Sequence, residues 1–169
     1  MTIPLVATES VDRPTFIDRL LPVLPAAQRL AFGMLQNGHE AEDAVQESVL
    51  KAWRAIDRLR EGSELRPWFL TIVANECRQR RRSRWWSVSK MSELPVAVTS
   101  EAGESAADLR AALRRLPAEM RMVLVLRYYL DMRFQEMADV LHCSAQAAKS
   151  RTFRALQRLR VETPEELGE

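Results

Sequence analysis

Glycine is scarce in this 169-residue chain, with only five in all, and no segment sustains the alternation of apolar and polar residues that a half-buried strand requires. Ala, Leu, Arg, Glu and Gln dominate the long segments instead, and these are strong helix formers. An all-α fold is therefore expected. No uninterrupted apolar stretch approaches the roughly 20 residues needed to span a bilayer. The N-terminus also lacks a basic segment followed by an apolar one and a small-residue cleavage site. The expectation is a cytoplasmic chain without membrane insertion.

Cysteine and histidine are equally sparse. Cys77 and Cys143 stand in separate segments with no CxxC pairing, which points to buried free thiols rather than a disulfide framework. Neither His39 nor His142 has a partner at metal-ligand spacing, and no Gly-rich phosphate loop or nucleophile motif occurs. No catalytic residue, metal or cofactor is expected, and an enzyme is disfavoured.

Hydrophobic residues make up 47% of the chain and charged residues 28%, so a packed core is expected rather than disorder. The length suits one ordinary domain or two small helical ones, since domains commonly run roughly 50 to 200 residues. The formal net charge of +2 is small, but the charges are clustered, and their placement carries the information.

Along the chain, residues 1–14 show no period and read as a loose tail. Ile17, Leu20, Leu21, Leu24, Leu30, Ala31, Met34 and Leu35 predict helix, interrupted at Pro22 and Pro25 and stopped at Asn37-Gly38. Val45, Val49, Ala52, Trp53 and Ile56 form one stripe of a helix from about Glu40 to Leu59. The next helix starts near Pro67 with Trp68, Phe69, Ile72 and Val73 on its buried side, and it ends in the basic run Arg78 to Arg84.

Residues 87–105 have linker composition, so residues 15–86 and 106–161 are expected as two helical units, with 162–169 a tail. In the second unit, Ala106, Leu109, Leu113 and Leu116 mark one helix, and Val123, Leu126 and Leu130 mark the next. Phe134, Met137, Ala138 and Leu141 mark a short third. His142-Cys143-Ser144 is a turn, with Ser144 the expected N-cap of a final helix from about Ala145 to Leu159.

A short helix, a tight turn and a longer basic helix have helix-turn-helix proportions. On the last helix Ala145, Ala148, Thr152, Leu156 and Leu159 share one face, and Arg151, Arg154 and Arg158 share the other. No acidic residue lies between Asp139 and Glu162. A solvated basic face fits that pattern, but the preceding short helix and turn favour DNA.

On the helix from Pro67, Thr71, Asn75, Arg78 and Arg82 align, and amide and guanidinium groups of this kind read base edges and hold phosphates. Trp85 and Trp86 either stack on unpaired bases or cover a core edge. Asp43, Gln46, Glu47, Leu50 and Arg54 lie opposite the apolar stripe of the helix from Glu40. A leucine among polar groups suits a protein-docking face, though single exposed leucines are common and the residues alone name no partner.

Asp43-Ala44-Val45-Gln46-Glu47, with Lys51-Ala52-Trp53-Arg54-Ala55-Ile56, resembles the region-two signature of bacterial RNA polymerase sigma factors. Pro67-Trp68-Phe69-Leu70-Thr71-Ile72-Val73-Ala74-Asn75 resembles the promoter-melting helix that follows it. Leu116-Pro117-Ala118-Glu119-Met120-Arg121, Leu126-Arg127-Tyr128-Tyr129, Glu136-Met137-Ala138 and Lys149-Ser150-Arg151 resemble region four. Two such regions joined by a short linker are the architecture of the extracytoplasmic-function (ECF) branch of the sigma-70 family.

The resemblance implies an alternative sigma factor that binds core RNA polymerase, directs it to promoters and helps open the DNA. Asp43, Gln46, Glu47, Leu50 and Arg54 would dock on the clamp helices of the largest subunit, and region four would meet the flap of the second-largest. Thr71, Asn75, Arg78, Arg81 and Arg82 would meet the proximal promoter element, partly as melted single strand. Lys149, Arg151, Arg154 and Arg158 would enter the duplex of the distal element, and the acidic linker would run through the polymerase channel. The resemblance also implies an anti-sigma partner.

Where the family usually has Gly-Thr-Val, this chain has Gln146-Ala147-Ala148, and a usual Ser-Tyr is Arg133-Phe134. Those changes bear on which distal sequence is read. The competing expectation is a stand-alone helix-turn-helix regulator, which leaves the basic helix ending at Arg84 without a role.

Overall fold

In the computed structural model, every regular element among the described residues is helical; the structure describes residues 13–59, 62–88 and 104–162. The first half contains α1 (Arg13–Leu20), a 3₁₀ turn (Leu21–Val23), α2 (Leu24–Leu35), α3 (Gly38–Ala55), a second 3₁₀ turn (Ile56–Arg58) and α4 (Leu65–Val88). The second contains α5 (Glu104–Arg115), α6 (Ala118–Leu124), a π-helical turn (Val125–Tyr129), α7 (Phe134–Leu141) and α8 (Ala145–Glu162). Helix α4 and helix α5 each reach into the 87–105 stretch; its remainder, and the tails 1–12 and 163–169, lie outside the described residues.

Pro22 and Pro25 divide the first helical stretch, each in the opening turn of the element that follows. There the missing N–H is no loss and the fixed φ suits a helix start. The Asn37-Gly38 pair proves to be a junction rather than a plain stop. Helix α2 ends on Gln36 in the left-handed region (φ 56°), and the Asn37 side chain then caps α3 by accepting the Glu40 N–H at 3.0 Å. Helix α3 therefore begins two residues before the expected start at Glu40.

Ala41, Ala44, Val45, Ser48, Ala52 and then Ile56 are buried. The stripe of α3 is thus rotated slightly from the one read in the sequence, leaving Val49 and Trp53 half-buried. On α4 the correction is larger. Phe69, Leu70, Val73, Ala74 and Cys77 are fully buried, whereas Trp68 and Ile72 are only half-buried.

Helices α2, α3 and α4 pack on one another, and α6 and α7 both pack on α8. These are the two helical units expected. What the sequence did not reveal is that they also pack together: α2 touches α6, α4 touches α7, and one hydrophobic cluster runs from Phe16 to Leu159 through both halves.

A carboxylate fastens α3 to α4. Glu76 is only 5% exposed and pairs with Lys51 of α3 and with Arg80 one turn along α4, the latter at 2.8 Å. Burial by itself raises the Glu76 carboxyl, but the hydrogen bonds and charges of Lys51 and Arg80 outweigh it and hold the group below its ordinary value. A carboxylate depressed in the folded state contributes stability that is present above its unfolded value of about 4.3 and lost as pH falls through the lower folded value. Urea unfolding is therefore expected to show wild-type stability falling below about pH 4.5, with a shallower acid slope in Glu76→Gln; parallel slopes would remove Glu76 from the acid response.

Candidate nucleic-acid interface

Helices α7 and α8 flank a three-residue turn. His142 takes the left-handed region (φ 50°) at the end of α7, and the Cys143 N–H closes the turn on Ala138 O at 3.1 Å. The Ser144 hydroxyl caps α8 as expected, accepting the Ala147 N–H at 3.1 Å. Ala148, Thr152, Ala155 and Leu159 of α8 are buried, with Ala145 and Leu156 half-buried. Lys149, Arg151, Arg154 and Arg158 are all exposed on the other side.

Among the described residues this stripe meets an acidic partner at its far end alone, where Arg158 lies 3.7 Å from Glu162. Arg151 and Arg154 instead line a cleft of about 390 Å³ with Glu119, Met120, Val123 and Leu141. Phe153, between them in sequence, is 60% exposed. In the segment that departs from the usual pattern, Gln146 is exposed while Ala148 is fully buried. The substitution at 148 is thus a matter of packing, and Gln146 is the one in reach of a ligand. Phe134 lies under the Arg127 guanidinium at 4.9 Å.

The stripe on α4 is less open. Asn75 and Arg82 are exposed, Thr71 is half-buried and donates its hydroxyl to Pro67 O at 2.8 Å, and Arg78 is held on three sides. Arg78 Nη1 donates to Asn75 Oδ1 at 3.0 Å, while Nε and Nη2 donate to the two carboxylate oxygens of Glu119 at 2.9 and 3.0 Å. Arg81 reaches Met34 O at 3.3 Å, and Arg84 pairs with Glu40 at 2.9 Å. The basic run from Arg78 to Arg84 is thus largely engaged within the chain. Trp85 and Trp86 lie in the last turns of α4; their side chains, and with them the choice between stacking and covering, fall outside the described residues.

On α3, Asp43, Gln46, Leu50 and Arg54 are exposed and Glu47 is half-buried, all opposite the buried stripe. Leu50 is 50% exposed amid these polar groups. The cysteines are free: Cys77 is buried, which pushes its thiol up to about 12, whereas Cys143 is only half-buried, contrary to expectation. It sits in a shallow cleft of about 790 Å³ between Pro67, Trp68 and Thr71 of α4 and the end of α7. Among the described residues no cluster of His, Cys, Asp and Glu is arranged to hold a metal, and no helix is long and apolar enough to cross a membrane.

Sequence reasoning assigned no role to Arg121, which is 6% exposed. The signal was there: Arg121 stands among Ala118, Met122 and Val125, at the spacing of a helix core face. Glu119 was likewise quoted for its resemblance alone.

Residues 20–87 match Sigma-70 region 2, and residues 106–159 match Sigma-70, region 4. The chain is 31% identical to the ECF sigma factor EcfG of Rhodopseudomonas palustris, over 84% of its own length and 81% of that protein. It is 28% identical to the sigma factor SigV of Bacillus subtilis, over 82% and 84% respectively. Among solved structures, the sigma factor RpoE of Bartonella quintana, in complex with the anti-sigma factor NepR, superposes with a TM-score of 0.75 at 28% identity. That superposition covers 89% of this chain and 98% of the other. With both regions matched in order and a relative 31% identical over most of both chains, the chain belongs to the extracytoplasmic-function sigma factors, alternative sigma factors that direct RNA polymerase to promoters.

Proposed function

We propose a division of labour along the chain. Residues 15–86 form the region-two unit, 87–105 the linker and 106–161 the region-four unit. Asp43, Gln46, Glu47, Leu50 and Arg54 dock on the clamp helices of the largest polymerase subunit, and region four meets the flap of the second-largest. The observation that supports this docking face is Leu50, half exposed at the centre of a charged helix side, an apolar anchor in a polar rim. Thr71, Asn75, Arg78, Arg81 and Arg82 serve the proximal element, and Lys149, Arg151, Arg154 and Arg158 serve the distal one.

Opening the duplex needs binding free energy rather than a catalytic side chain. Unstacking costs a few kcal/mol per base, offset by contacts to the exposed strand. The protein so read acts in the cytoplasm without chemistry or a cofactor of its own. Its anti-sigma partner is inferred from the Bartonella relative, solved with NepR.

The testing experiment is transcription in vitro with core polymerase on a genomic fragment library, with and without the protein, sequencing transcript 5′ ends. Protein-dependent starts sharing two spaced upstream motifs are expected. Binding to DNA with no new starts would favour the stand-alone regulator. Glu47→Arg, which reverses a charge within the docking face, is expected to weaken association with core polymerase by about tenfold or more. Unchanged affinity in a pull-down titration would displace that face from the polymerase interface.

A further inference from the structure

We propose that Gln146, in the first turn of α8, is a specificity-determining residue that reads an adenine of the distal promoter element. The proposal rests on the reading of α8 as the helix that enters that duplex. It adds a residue outside the basic stripe.

The exposed side of α8 is not uniformly basic. At about 100° per residue, buried Ala148, Thr152, Ala155 and Leu159 define one direction, and the opposite direction runs through Gln146, Ser150, Phe153 and Gln157, all exposed. None of these four carries a charge. The cations stand to either side: Lys149 on one flank, Arg151 and Arg158 on the other, and Arg154 between the centre line and the arginine flank. A helix about 10–12 Å across fills a major groove roughly 12 Å wide, so its centre line meets base edges and its flanks meet the two phosphate backbones. Long cationic side chains on the flanks fix the register without reading sequence. Base reading falls to the residues nearest the centre line.

Along that line, position and reach single out Gln146. In a helix-turn-helix the first residues of the second helix contact the base edges. The Ser144 hydroxyl is already engaged as the cap, accepting the Ala147 N–H at 3.1 Å. Ala145 and Ala147 are half-buried and end at a methyl group. Gln146 is therefore the first long side chain that α8 presents. Its amide is also unengaged among the described residues. Gln36, by contrast, turns its amide back onto Phe32 O and Gly33 O at 3.2 and 2.9 Å.

A carboxamide sets one acceptor beside two donors. Adenine offers a donor at N6 beside an acceptor at N7, and accepts both bonds at once. Guanine shows two acceptors in the major groove, cytosine a donor, and thymine an acceptor beside a methyl group, so none of them pairs with both ends of the amide. Residue 146 is also where this chain departs from the usual glycine, which has no side chain to read with.

Polymerase assembled from core enzyme and this protein, transcribing a library randomised through the distal element, tests the assignment. Gln146→Ala opens no cavity, and alanine is the better helix former, so helical circular dichroism and affinity for core polymerase are expected to hold. The variant is expected to erase an adenine preference of about tenfold at one position, leaving the other positions and the salt dependence as they were. Placing 7-deazaadenine there, which lacks the N7 acceptor, is expected to cost the unmodified protein roughly three- to tenfold and Gln146→Ala nothing further. An unchanged profile in Gln146→Ala, an equal loss at every position, loss of a preference for another base, or an equal cost of 7-deazaadenine in both proteins would overturn the proposal. The reading of α8 is judged separately: a profile flat across the whole distal element in the unmodified protein would remove α8 from the promoter, whereas a structured profile indifferent to Gln146→Ala would remove Gln146 alone.

Discussion

Replacing Arg151 and Arg154 together by alanine is expected to lower promoter-dependent transcription by roughly 10²-fold or more and to leave affinity for core polymerase unchanged. Both side chains are exposed on the face of α8 opposite its buried stripe, so truncating them opens no cavity. Arg154 makes one long contact within the chain, Nε to Ser150 O at 3.4 Å, and losing it is of little consequence for stability. Against DNA the loss is large, because each bidentate guanidinium contact contributes about 1–3 kcal/mol and two such losses multiply in the rate.

The single variants separate the two kinds of contact. A residue that reads a base relaxes sequence preference at one position, whereas one that holds a phosphate weakens all sequences alike and reduces the salt slope by about one. Run-off transcription beside a fluorescence titration against core polymerase measures both arms. If polymerase affinity fell in parallel with transcription, α8 would be a docking helix and the promoter assignment would fail.

Local rules made most of the helices legible. Pro22 and Pro25, the cap at Ser144, and the spacing of Ala148, Thr152 and Leu159 each constrain their own neighbourhood, and the structure follows them. The phase of α4 was less readable, because Trp68 through Ala74 is apolar at nearly every position and no single face stands out. Its phase is set by neighbours, since α1, α2, α3 and α7 all pack on it.

The clustering of arginines after Asn75 was visible, but their pairing was not. Glu76, Glu40 and Glu119, which engage Arg80, Arg84 and Arg78, lie from four to 44 residues away. The seam between the halves was least legible of all, because Arg121 meets the carbonyl of Gly33 across 88 positions. A single sequence marks Arg121 only as a charge misplaced on an apolar stripe.

Arg121→Met is expected to lower the unfolding free energy by about 3–4 kcal/mol, a fall of roughly 6–16 °C in Tm for a chain of this size. The guanidinium serves five carbonyls: Gly33 and Met34 at the end of α2, and Leu113, Arg114 and Leu116 at 3.4, 3.1 and 2.8 Å at the end of α5. Burial, with a smaller contribution from the charge of Arg81, lowers its pKa to about 10, so it stays protonated at neutral pH. Methionine restores much of the volume but donates nothing. Gly33 O keeps Gln36 Nε2, Met34 O keeps Arg81 and Leu113 O keeps the Leu116 N–H, so the loss falls chiefly on Arg114 O and Leu116 O, at about 1–3 kcal/mol for each carbonyl left buried without a donor. Arg121→Lys should fall between the two, because an ammonium keeps the charge but cannot span two helix ends with a planar fork. Urea unfolding measures the loss, and a change under about 1 kcal/mol would show that water replaces the guanidinium. Combined with Gly33→Leu, whose Cβ would fall 2.5 Å from Val125 Cγ2 across the seam, the effect of Arg121→Met should shrink by about 1–2 kcal/mol, since the added side chain has already parted Arg121 from α2. Strict additivity would mean that Arg121 stabilises region four alone, through the end of α5.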